Sequence, residues 1–431
     1  MYGWRLGVAC SVLVLVACAA DDEANDFADG GVDDGAEQQP PPPPLCLIEL
    51  QCEAEIPDEP KTDCALHIAA DRDRAVDAYS GRAALERRGR SSQAYDKPSY
   101  SLELRTAAGE ENPTNLLGMG GESDWILDGL WVDRSLVRNE LVFALFRSLD
   151  PARWAPRGRF CELTLNDEPR GIYRLGERIK RDDDRIDIPE DDGTGQSFVV
   201  KQDSDGALHW DVGEESRWKL VSPNQERATA AQQQGAQAFL GELDAALHDP
   251  SADLFAWLDL DAVVDFVIMQ ELAKSVDAYN LSLHLWKQPG APAQLVPWDF
   301  DLSMGQPYST VRPGTELTTG WVLHRTVLSD GLDQRQEFRT RLVERWRIHR
   351  AGPLTEQAIM ALINRALVTL DPAAVAENFE LWPLADVSFD DIYPPYTFYD
   401  VASHGEEIDR QKAWLVARLA WMDAQIDAYP E

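Results

Sequence analysis

Apolar and polar residues alternate most regularly near the middle of the chain. Every second residue from Leu281 to Leu285 is a leucine, and Ser282, His284 and Trp286 occupy the alternate positions. This period of two is typical of a β-strand with one buried face. A segment with two prolines and a glycine follows at residues 288–292 and predicts a turn. A short apolar strand returns at residues 294–296, so the pattern predicts an antiparallel hairpin.

Acidic residues flank both ends of this hairpin. Asp277 and Asn280 precede the first strand, and Asp299 and Asp301 follow the second. Antiparallel pairing brings these ends together. Carboxylates in close contact raise each other's pKa unless a cation neutralises them, and oxygen ligands favour Mg²⁺ or Mn²⁺. An Asp before a hairpin and another after it is also the layout of a protein kinase active site. The alternative is a pair of solvated loops, because Asp is common in turns.

Strand patterns fill the first half of the chain and helix patterns fill the second. The predicted strands lie within residues 64–106 and at 160–165, 171–179 and 197–201. One helix, 133–149, interrupts them, with Asp133 as a candidate N-cap and Arg138 and Asn139 breaking its apolar stripe. Later helices are predicted at 232–247, 328–347, 354–370 and 406–428, and residues 254–276 are predicted to form one or two helices, with Asp259 as a candidate N-cap inside that run. This order predicts an α+β fold with a strand-rich lobe, 45–225, and a helical lobe, 226–431.

The charge of the chain excludes one class of partner. The 431 residues include 75 acidic and 40 basic ones, which gives a net charge of −35. Non-specific nucleic-acid binding needs a basic footprint, so the charge argues against it. It suits a protein that faces water or meets basic partners.

The N-terminal residues are typical of an exported lipoprotein. Residues 1–17 combine Arg5 with an apolar run too short to span a bilayer, which predicts a signal peptide. The run ends in L-V-A-C at Cys18, which resembles the bacterial lipobox, in which the cysteine is lipidated; an incidental cysteine in a plain secretory signal is the alternative. Bacterial lipoproteins are usually sorted by the residue after the lipidated cysteine. Here that residue is Ala19 rather than Asp, which favours the outer membrane. The acidic and proline-rich composition of residues 18–44 predicts a disordered tether.

Four cysteines remain after the signal peptide and the lipidation site. They are Cys46, Cys52, Cys64 and Cys161. In an exported protein four thiols predict two disulfides, and three pairings are open.

Basic residues in the strand-rich region are candidate phosphate ligands. The segment R-G-R-S-S holds Arg88 and Ser91, and Lys97 follows it. Backbone N–H groups, hydroxyls and guanidinium groups can together bind phosphate, although a basic surface turn has the same composition. Glu177 and Lys201 lie on later predicted strands and are candidates for the ion pair with which kinases hold nucleotide phosphates. Lys97 is an equal candidate for that lysine.

Five segments in a fixed order carry a resemblance to a family. They are R-G-R-S-S with K-P-S-Y-S-L-E-L, D-R-S-L-V-R-N, L-N-D-E-P-R-G-I-Y-R-L-G-E-R-I, E-L-A-K-S-V-D-A-Y-N-L-S and P-W-D-F-D-L-S-M-G. Together they cover about residues 82–305, and they resemble the CotH-type proteins, named for a bacterial spore-coat kinase. The resemblance implies a two-lobed atypical kinase fold. It also implies transfer of phosphoryl from ATP to Ser or Thr of a protein substrate, with Mg²⁺ or Mn²⁺.

The resemblance also assigns roles by position. Asp277 would be the catalytic base or orienting carboxylate, and Asp299 would hold the metal with Asp301 and Asn280 beside it. The residues near nucleotide phosphates would be Arg88, Ser91, Lys97, Glu177 and Lys201. No nucleic acid is expected as a partner, and the membrane is expected to be met only through the lipid anchor.

One position departs from the kinase pattern and keeps a second function open. In ordinary kinases an Asn that binds metal follows the catalytic Asp by about five residues. Here that position is Ser282, a poorer ligand. The alternative is therefore a catalytically inactive surface adhesion or structural lipoprotein with the same fold. A metal-dependent phosphohydrolase that uses the same carboxylates is a third hypothesis.

Overall fold

The computed structural model describes the chain from Pro44 to Tyr429 with several gaps. The described residues are 44–71, 76–89, 91–202, 208–209, 217–275, 277–279, 282–309, 314–322, 326–384, 396–398 and 401–429. The predicted signal peptide, the lipidation site Cys18 and the metal candidate Asn280 lie outside them, and so does the predicted tether except for Pro44.

Seven strands of the N-terminal region close into a barrel. The described residues before 178 form nine strands, which are β1 (Cys46–Cys52), β2 (Thr62–Ala69), β3 (Asp77–Arg88), β4 (Ser99–Arg105), β5 (Thr114–Asn115), β6 (Gly121–Glu122), β7 (Asp124–Asp128), β8 (Gly158–Leu165) and β9 (Glu168–Glu177). The barrel order is β1-β2-β3-β4-β7-β9-β8, and β5 pairs with β6 separately. Neighbours are antiparallel except β1 and β8, which run parallel and close the barrel. Alternate residues such as Leu66, Leu102 and Trp125 fill the interior.

Two disulfides tie the first strand to its neighbours. Cys46 is bonded to Cys161 across β1 and β8, and Cys52 to Cys64 across β1 and β2. The prediction of two disulfides is confirmed, and the structure selects one of the three pairings. Such bonds are typical of an oxidising, extracytoplasmic compartment.

The predicted hairpin forms the edge of a second sheet. Its strands are β10 (Phe198–Gln202), β11 (Leu208–His209), β12 (Arg217–Ser222), β13 (His284–Lys287) and β14 (Gln294–Val296), in the order β11-β12-β10-β13-β14. The hairpin is β13 with β14, and His284 lies opposite Val296. Two further short strands, β15 (Pro307–Ser309) and β16 (Tyr396–Phe398), pair with each other.

Helices dominate the C-terminal region, and one more helix lies among the strands of the N-terminal region. They are α1 (Arg138–Leu149), α2 (Ala230–His248), α3 (Leu260–Ala273), α4 (Val327–Asp333), α5 (Gln336–Arg350), α6 (Glu356–Thr369), α7 (Pro372–Leu381) and α8 (His404–Gln425). Every residue of α3 from Ala262 onward is buried, so this helix forms the centre of the larger core. Among the described residues no single helix combines the length and apolar composition needed to cross a bilayer. Helices α6 and α7 meet that test only as a pair, bent by 78°.

The strand-rich N-terminal region and the helical C-terminal region confirm the predicted α+β class, but the closed barrel is an addition to the prediction. Asp259 is the N-cap of α3, as predicted, and accepts from the backbone N–H of Ala262 at 2.8 Å. The prediction that the first helix begins at Asp133, with Asp133 as its N-cap, is wrong. α1 begins five residues later, and Asp133 Oδ2 accepts from the backbone N–H of Arg138 at 2.8 Å. The single helix predicted over 328–347 is two helices, α4 and α5.

Candidate functional site

Two carboxyl groups meet directly after the hairpin. The side chains of Asp299 and Asp301 lie close enough for each carboxyl group to act on the other. Partial burial, the charge of Asp299 and the nearby Asp128 and Asp133 raise the pKa of Asp301 well above its ordinary value. Both residues remain partly exposed to solvent. A bound cation stabilises an accessible pair of like charges of this kind.

The first arm of the hairpin contacts this pair through Ser282. Ser282, just before β13, donates its hydroxyl to Asp299 Oδ2 at 2.9 Å. Asp277 lies in the turn between α3 and β13 and is half-buried. Two residues later, Tyr279 donates its hydroxyl to the buried carboxylate of Glu271 at 3.0 Å. Glu271 on α3 therefore anchors the turn that carries Asp277.

The backbone at the site adopts unusual conformations. Tyr279, Ser282 and Asp299 have φ values of 63°, 57° and 68°. For residues with a side chain this left-handed region costs of order 1–3 kcal/mol each and persists only where surrounding contacts hold it. Such outliers cluster at functional sites, so these three favour a functional reading of the hairpin ends.

Arg88 is a cation whose charge interacts with the paired carboxylates. It ends β3 and lies over the ring of Trp298, with 5.4 Å between the guanidinium carbon and the ring centre. Burial lowers its pKa, and the negative charges of Asp128, Asp299 and Asp301 oppose that shift. The predicted phosphate ligand and the predicted metal ligands therefore share one electrostatic environment.

Asn139 connects the acidic pair to the barrel. Its Oδ1 accepts from the backbone N–H of Phe300 at 2.7 Å, and its Nδ2 donates to Asp128 Oδ2 at 3.2 Å. Phe300 lies between Asp299 and Asp301, so one buried amide fixes the backbone between the two carboxylates. Asp128 ends β7 and adds an acidic side chain that the sequence analysis did not select.

A buried ion-pair network holds the segment that follows Asp301. Arg138 donates to Asp133 Oδ1 at 2.6 Å, to Glu407 Oε1 at 2.5 Å and to the backbone carbonyl of Ser303 at 3.0 Å. All three side chains of the ion pairs are almost inaccessible to solvent. Arg410 also pairs with Glu407 and donates to the carbonyl of Gly305 at 3.0 Å. The chain from 299 to 305 is therefore tied to α1 and α8.

Of the two candidate lysines, Lys201 lies beside the hairpin and Lys97 lies elsewhere. Lys201 on β10 is in register with His284 on β13. Burial, together with the charges of Lys201 and Arg88, lowers the pKa of His284 to about 3, so this imidazole is neutral. Lys97 is 2% exposed and donates to the carbonyl of Ile172 at 2.6 Å and to Asn378 Oδ1 at 2.7 Å.

Two further predicted residues have other surroundings. Glu177 is fully buried and accepts from the guanidinium of Arg157 at 2.6 Å and from its backbone N–H at 2.7 Å. Ser91 begins the short 3₁₀ helix Ser91–Ala94, and its side chain lies outside the described part of the chain.

The donor set at the hairpin fits Mg²⁺ or Mn²⁺ bound together with a phosphate ligand. Within the described ranges, no three His, Cys, Asp or Glu side chains form a group that could hold a metal ion by themselves. Mg²⁺ commonly uses only one or two carboxylates plus substrate phosphates. Asp299 and Asp301 supply two carboxylates, and Arg88 supplies a cation for phosphate.

Asn139 and Asp128 are the residues that sequence reasoning missed. Asn139 interrupts an apolar helix stripe, which was a usable signal. Asp128 ends an apolar strand without any pattern that separates it from a surface residue.

Comparison with known proteins identifies one relationship. A sequence model of the family described as "CotH: CotH kinase protein" matches residues 85–422, which is most of the chain. No curated protein matches the chain.

Proposed function

Because the chain belongs to the CotH kinase family, we propose that it transfers the γ-phosphoryl group of ATP to Ser or Thr of a protein substrate. The observation that carries this proposal is the contact between Asp299 and Asp301, with Arg88 in the same electrostatic environment. Phosphoryl transfer depends on positioning and on charge neutralisation more than on covalent chemistry, and this group of side chains suits both tasks.

Each residue has a proposed role. Asp277 accepts the proton of the Ser or Thr hydroxyl of the substrate. The oxygen of that hydroxyl bonds to the γ-phosphorus of ATP, and the bond between the γ-phosphorus and the β-phosphate oxygen breaks. Asp299 and Asp301 hold Mg²⁺ or Mn²⁺, which when bound neutralises phosphate charge. Arg88 binds a phosphate oxygen, and Lys201 is the lysine of the nucleotide site. We assign Lys97 and Glu177 to supporting roles, because their polar groups already bind Ile172, Asn378 and Arg157.

The proposed setting is a two-lobed kinase-like architecture on the cell envelope. The barrel and its neighbours, residues 45–225, form the proposed strand-rich lobe, and residues 226–431 form the helical lobe. The two disulfides agree with an oxidising compartment. The L-V-A-C motif at Cys18 supports a lipid anchor in the outer membrane, and the net charge of −35 favours a basic protein substrate.

One observation favours the inactive alternative. The hydroxyl of Ser282 donates to Asp299 where ordinary kinases have a second metal-binding side chain. A chain that kept this contact without binding nucleotide would serve as a surface adhesion or structural protein.

The test is phosphoryl transfer by the full chain. Incubation with γ-labelled ATP, Mg²⁺ or Mn²⁺ and a basic protein is expected to label the chain or that protein on Ser or Thr. Asp277→Ala and Asp299→Asn are each expected to reduce labelling at least about a hundredfold, since each removes transition-state stabilisation of several kcal/mol. Asp409→Asn, which changes an exposed carboxylate on α8, is the matched control. Equal labelling by the wild type and both site variants would exclude the assignment, and release of free phosphate without protein labelling would indicate a phosphohydrolase.

A further inference from the structure

The inward-facing side chains of the barrel change from apolar to cationic at one open end. On β3, Ala83 and Leu85 face the barrel core and are completely buried. Because strand residues alternate between faces, Arg87 is the next inward position and Arg88 points to the opposite face. A cavity of about 280 Å³ lies at this end, which we name the barrel mouth, and Arg87, Tyr100 and Arg170 are among its lining residues.

A β-bulge brings the second arginine to the barrel mouth. The pairing of β8 with β9 shifts register between Leu163 and Thr164, opposite Gly171 and Pro169, so Arg170 is the extra residue. Bulges commonly re-aim one side chain. The Nε of Arg170 is buried and has no hydrogen-bond partner.

A second buried polar group without a partner lies next to Tyr100, one of the residues that line the cavity. Tyr173 is completely buried, and its hydroxyl has no hydrogen-bond partner. Its ring stacks on that of Tyr100 with 6.3 Å between centres. Burial raises the pKa of Tyr173 well above its ordinary value, and the positive charges of Arg170 and Arg87 oppose that shift. A buried hydroxyl without a partner is costly to the stability of the folded protein.

Acidic residues surround the outer part of the cavity. Glu55 and Glu168 are 90% and 70% exposed in their side chains, and Asp96 is also exposed. Glu168 accepts from Arg170 at 2.8 Å, and Glu55 lies 3.9 Å from Arg87. Exposed pairs of this kind are weak, so an incoming group can replace them. The cavity is therefore cationic inside and acidic at its rim.

We propose that the barrel mouth binds a small zwitterion, an amino acid or its O-phosphorylated form. The carboxylate or phosphate binds Arg87 and Arg170, and the ammonium group faces Glu55, Glu168 and Asp96. Arginine forks match both anions, and barrel mouths are a recurrent place for small ligands. This site does not depend on the proposed kinase activity, because it uses the opposite face of β3 from Arg88.

Calorimetric titration of the full chain tests the proposal. The probes are L-serine and O-phospho-L-serine, with acetate, inorganic phosphate and ethanolamine as ligands that carry only one of the two charges. We expect at least one of the two amino acids to bind, and to bind at least about tenfold more tightly than each single-charge ligand. Arg87→Gln and Arg170→Gln are each expected to weaken that binding by about tenfold or more. Arg82→Gln, on the same strand but facing outward and paired with Asp63 at 3.4 Å, is expected to leave it unchanged.

Tyr173→Phe separates binding from folding. It is expected to leave binding unchanged and to raise the melting temperature without ligand, because it removes an unsatisfied buried hydroxyl that does not line the cavity. The absence of heat with both amino acids at ~10 mM would overturn the proposal. Equal binding by Arg87→Gln and the wild type would overturn it, as would a single-charge ligand that binds as tightly as the tighter-binding of the two amino acids.

Discussion

Asn139 holds the backbone N–H of Phe300 at 2.7 Å, so a side chain from the first helix fixes the peptide between Asp299 and Asp301. Its amide nitrogen donates to Asp128 at 3.2 Å, which sets the orientation of the amide group. A single buried residue thus joins the barrel, the first helix and the segment after the hairpin. This contact explains how residues far apart in the sequence form one acidic site.

Replacement of Asn139 by leucine is expected to destabilise the protein strongly. The change leaves the Phe300 N–H and an Asp128 oxygen without this partner, and each buried group left unpaired costs about 1–3 kcal/mol. Urea unfolding of Asn139→Leu should therefore show a loss of roughly 2–5 kcal/mol. Asn364→Leu, in the exposed part of α6, is the control. Equal losses for the two variants would contradict the role given to Asn139.

Because the ion pairs of Arg138 are buried, replacement of Arg138 is expected to cost more stability than replacement of an exposed arginine. Arg138→Met leaves Asp133 and Glu407 as uncompensated buried carboxylates and is expected to cost about 3–5 kcal/mol. Arg347→Met removes a pair of the same length, 2.6 Å to Asp427, but its side chains are 64% and 69% exposed. That variant should lose no more than about 1 kcal/mol. Urea unfolding measures both, and similar losses would show that burial is not what gives the Arg138 network its strength.

The burial of Lys97 is expected to make the free energy of unfolding depend on pH at alkaline pH. Burial lowers the pKa of Lys97 from 10.5 to about 7, so between these values the unfolded chain binds a proton that the folded chain does not. The stability of the wild type relative to Lys97→Met should therefore rise from pH 7 to pH 10, with a slope approaching about 1.4 kcal/mol per pH unit. Below pH 7 the lysine is charged in both states and the difference should be flat.

Urea unfolding at a series of pH values measures this difference. Lys412→Met, which removes a surface lysine bonded to Asn364, should show no such slope. A flat difference between wild type and Lys97→Met from pH 7 to pH 10 would mean that Lys97 stays charged in the folded protein.

The two disulfides are expected to differ in their effect on stability. Cys46–Cys161 closes a loop with a sequence separation of 115, whereas that of Cys52–Cys64 is 12. Loop entropy predicts about 4–5 kcal/mol for the long loop and about 3 kcal/mol for the short one. Urea unfolding of the double alanine variants, each with the other disulfide intact, tests this order. A larger loss from removing Cys52–Cys64 would contradict it.

Local patterns in the sequence predicted the hairpin and its flanking aspartates because these depend on neighbouring residues. The alternation around His284 gives the strand, and the residues at 288–292 give the turn, so the contact of Ser282 with Asp299 follows from antiparallel pairing. The N-cap at Asp259 is equally local and was predicted correctly.

Contacts between distant segments could not be predicted in this way. Lys97 and Lys201 were equal candidates in sequence, and only the strand register places Lys201 opposite His284. Closure of the barrel depends on the parallel pairing of β1 with β8, for which no local pattern exists. Asp133 resembles a helix cap in sequence, but the buried guanidinium of Arg138 binds its carboxylate, and the helix begins later.

The most direct test of the account is the dependence of ATP binding on a divalent ion. Calorimetric titration of ATP should be carried out with Mg²⁺ and with a chelator, for the wild type and for Asp299→Asn. Asn tolerates the left-handed backbone at this position, where φ is 68°, so the variant removes the charge and keeps the geometry. The account predicts that Mg²⁺ strengthens ATP binding by the wild type at least about tenfold and that Asp299→Asn loses this effect. Binding of equal strength with Mg²⁺ and with the chelator, in both proteins, would contradict it.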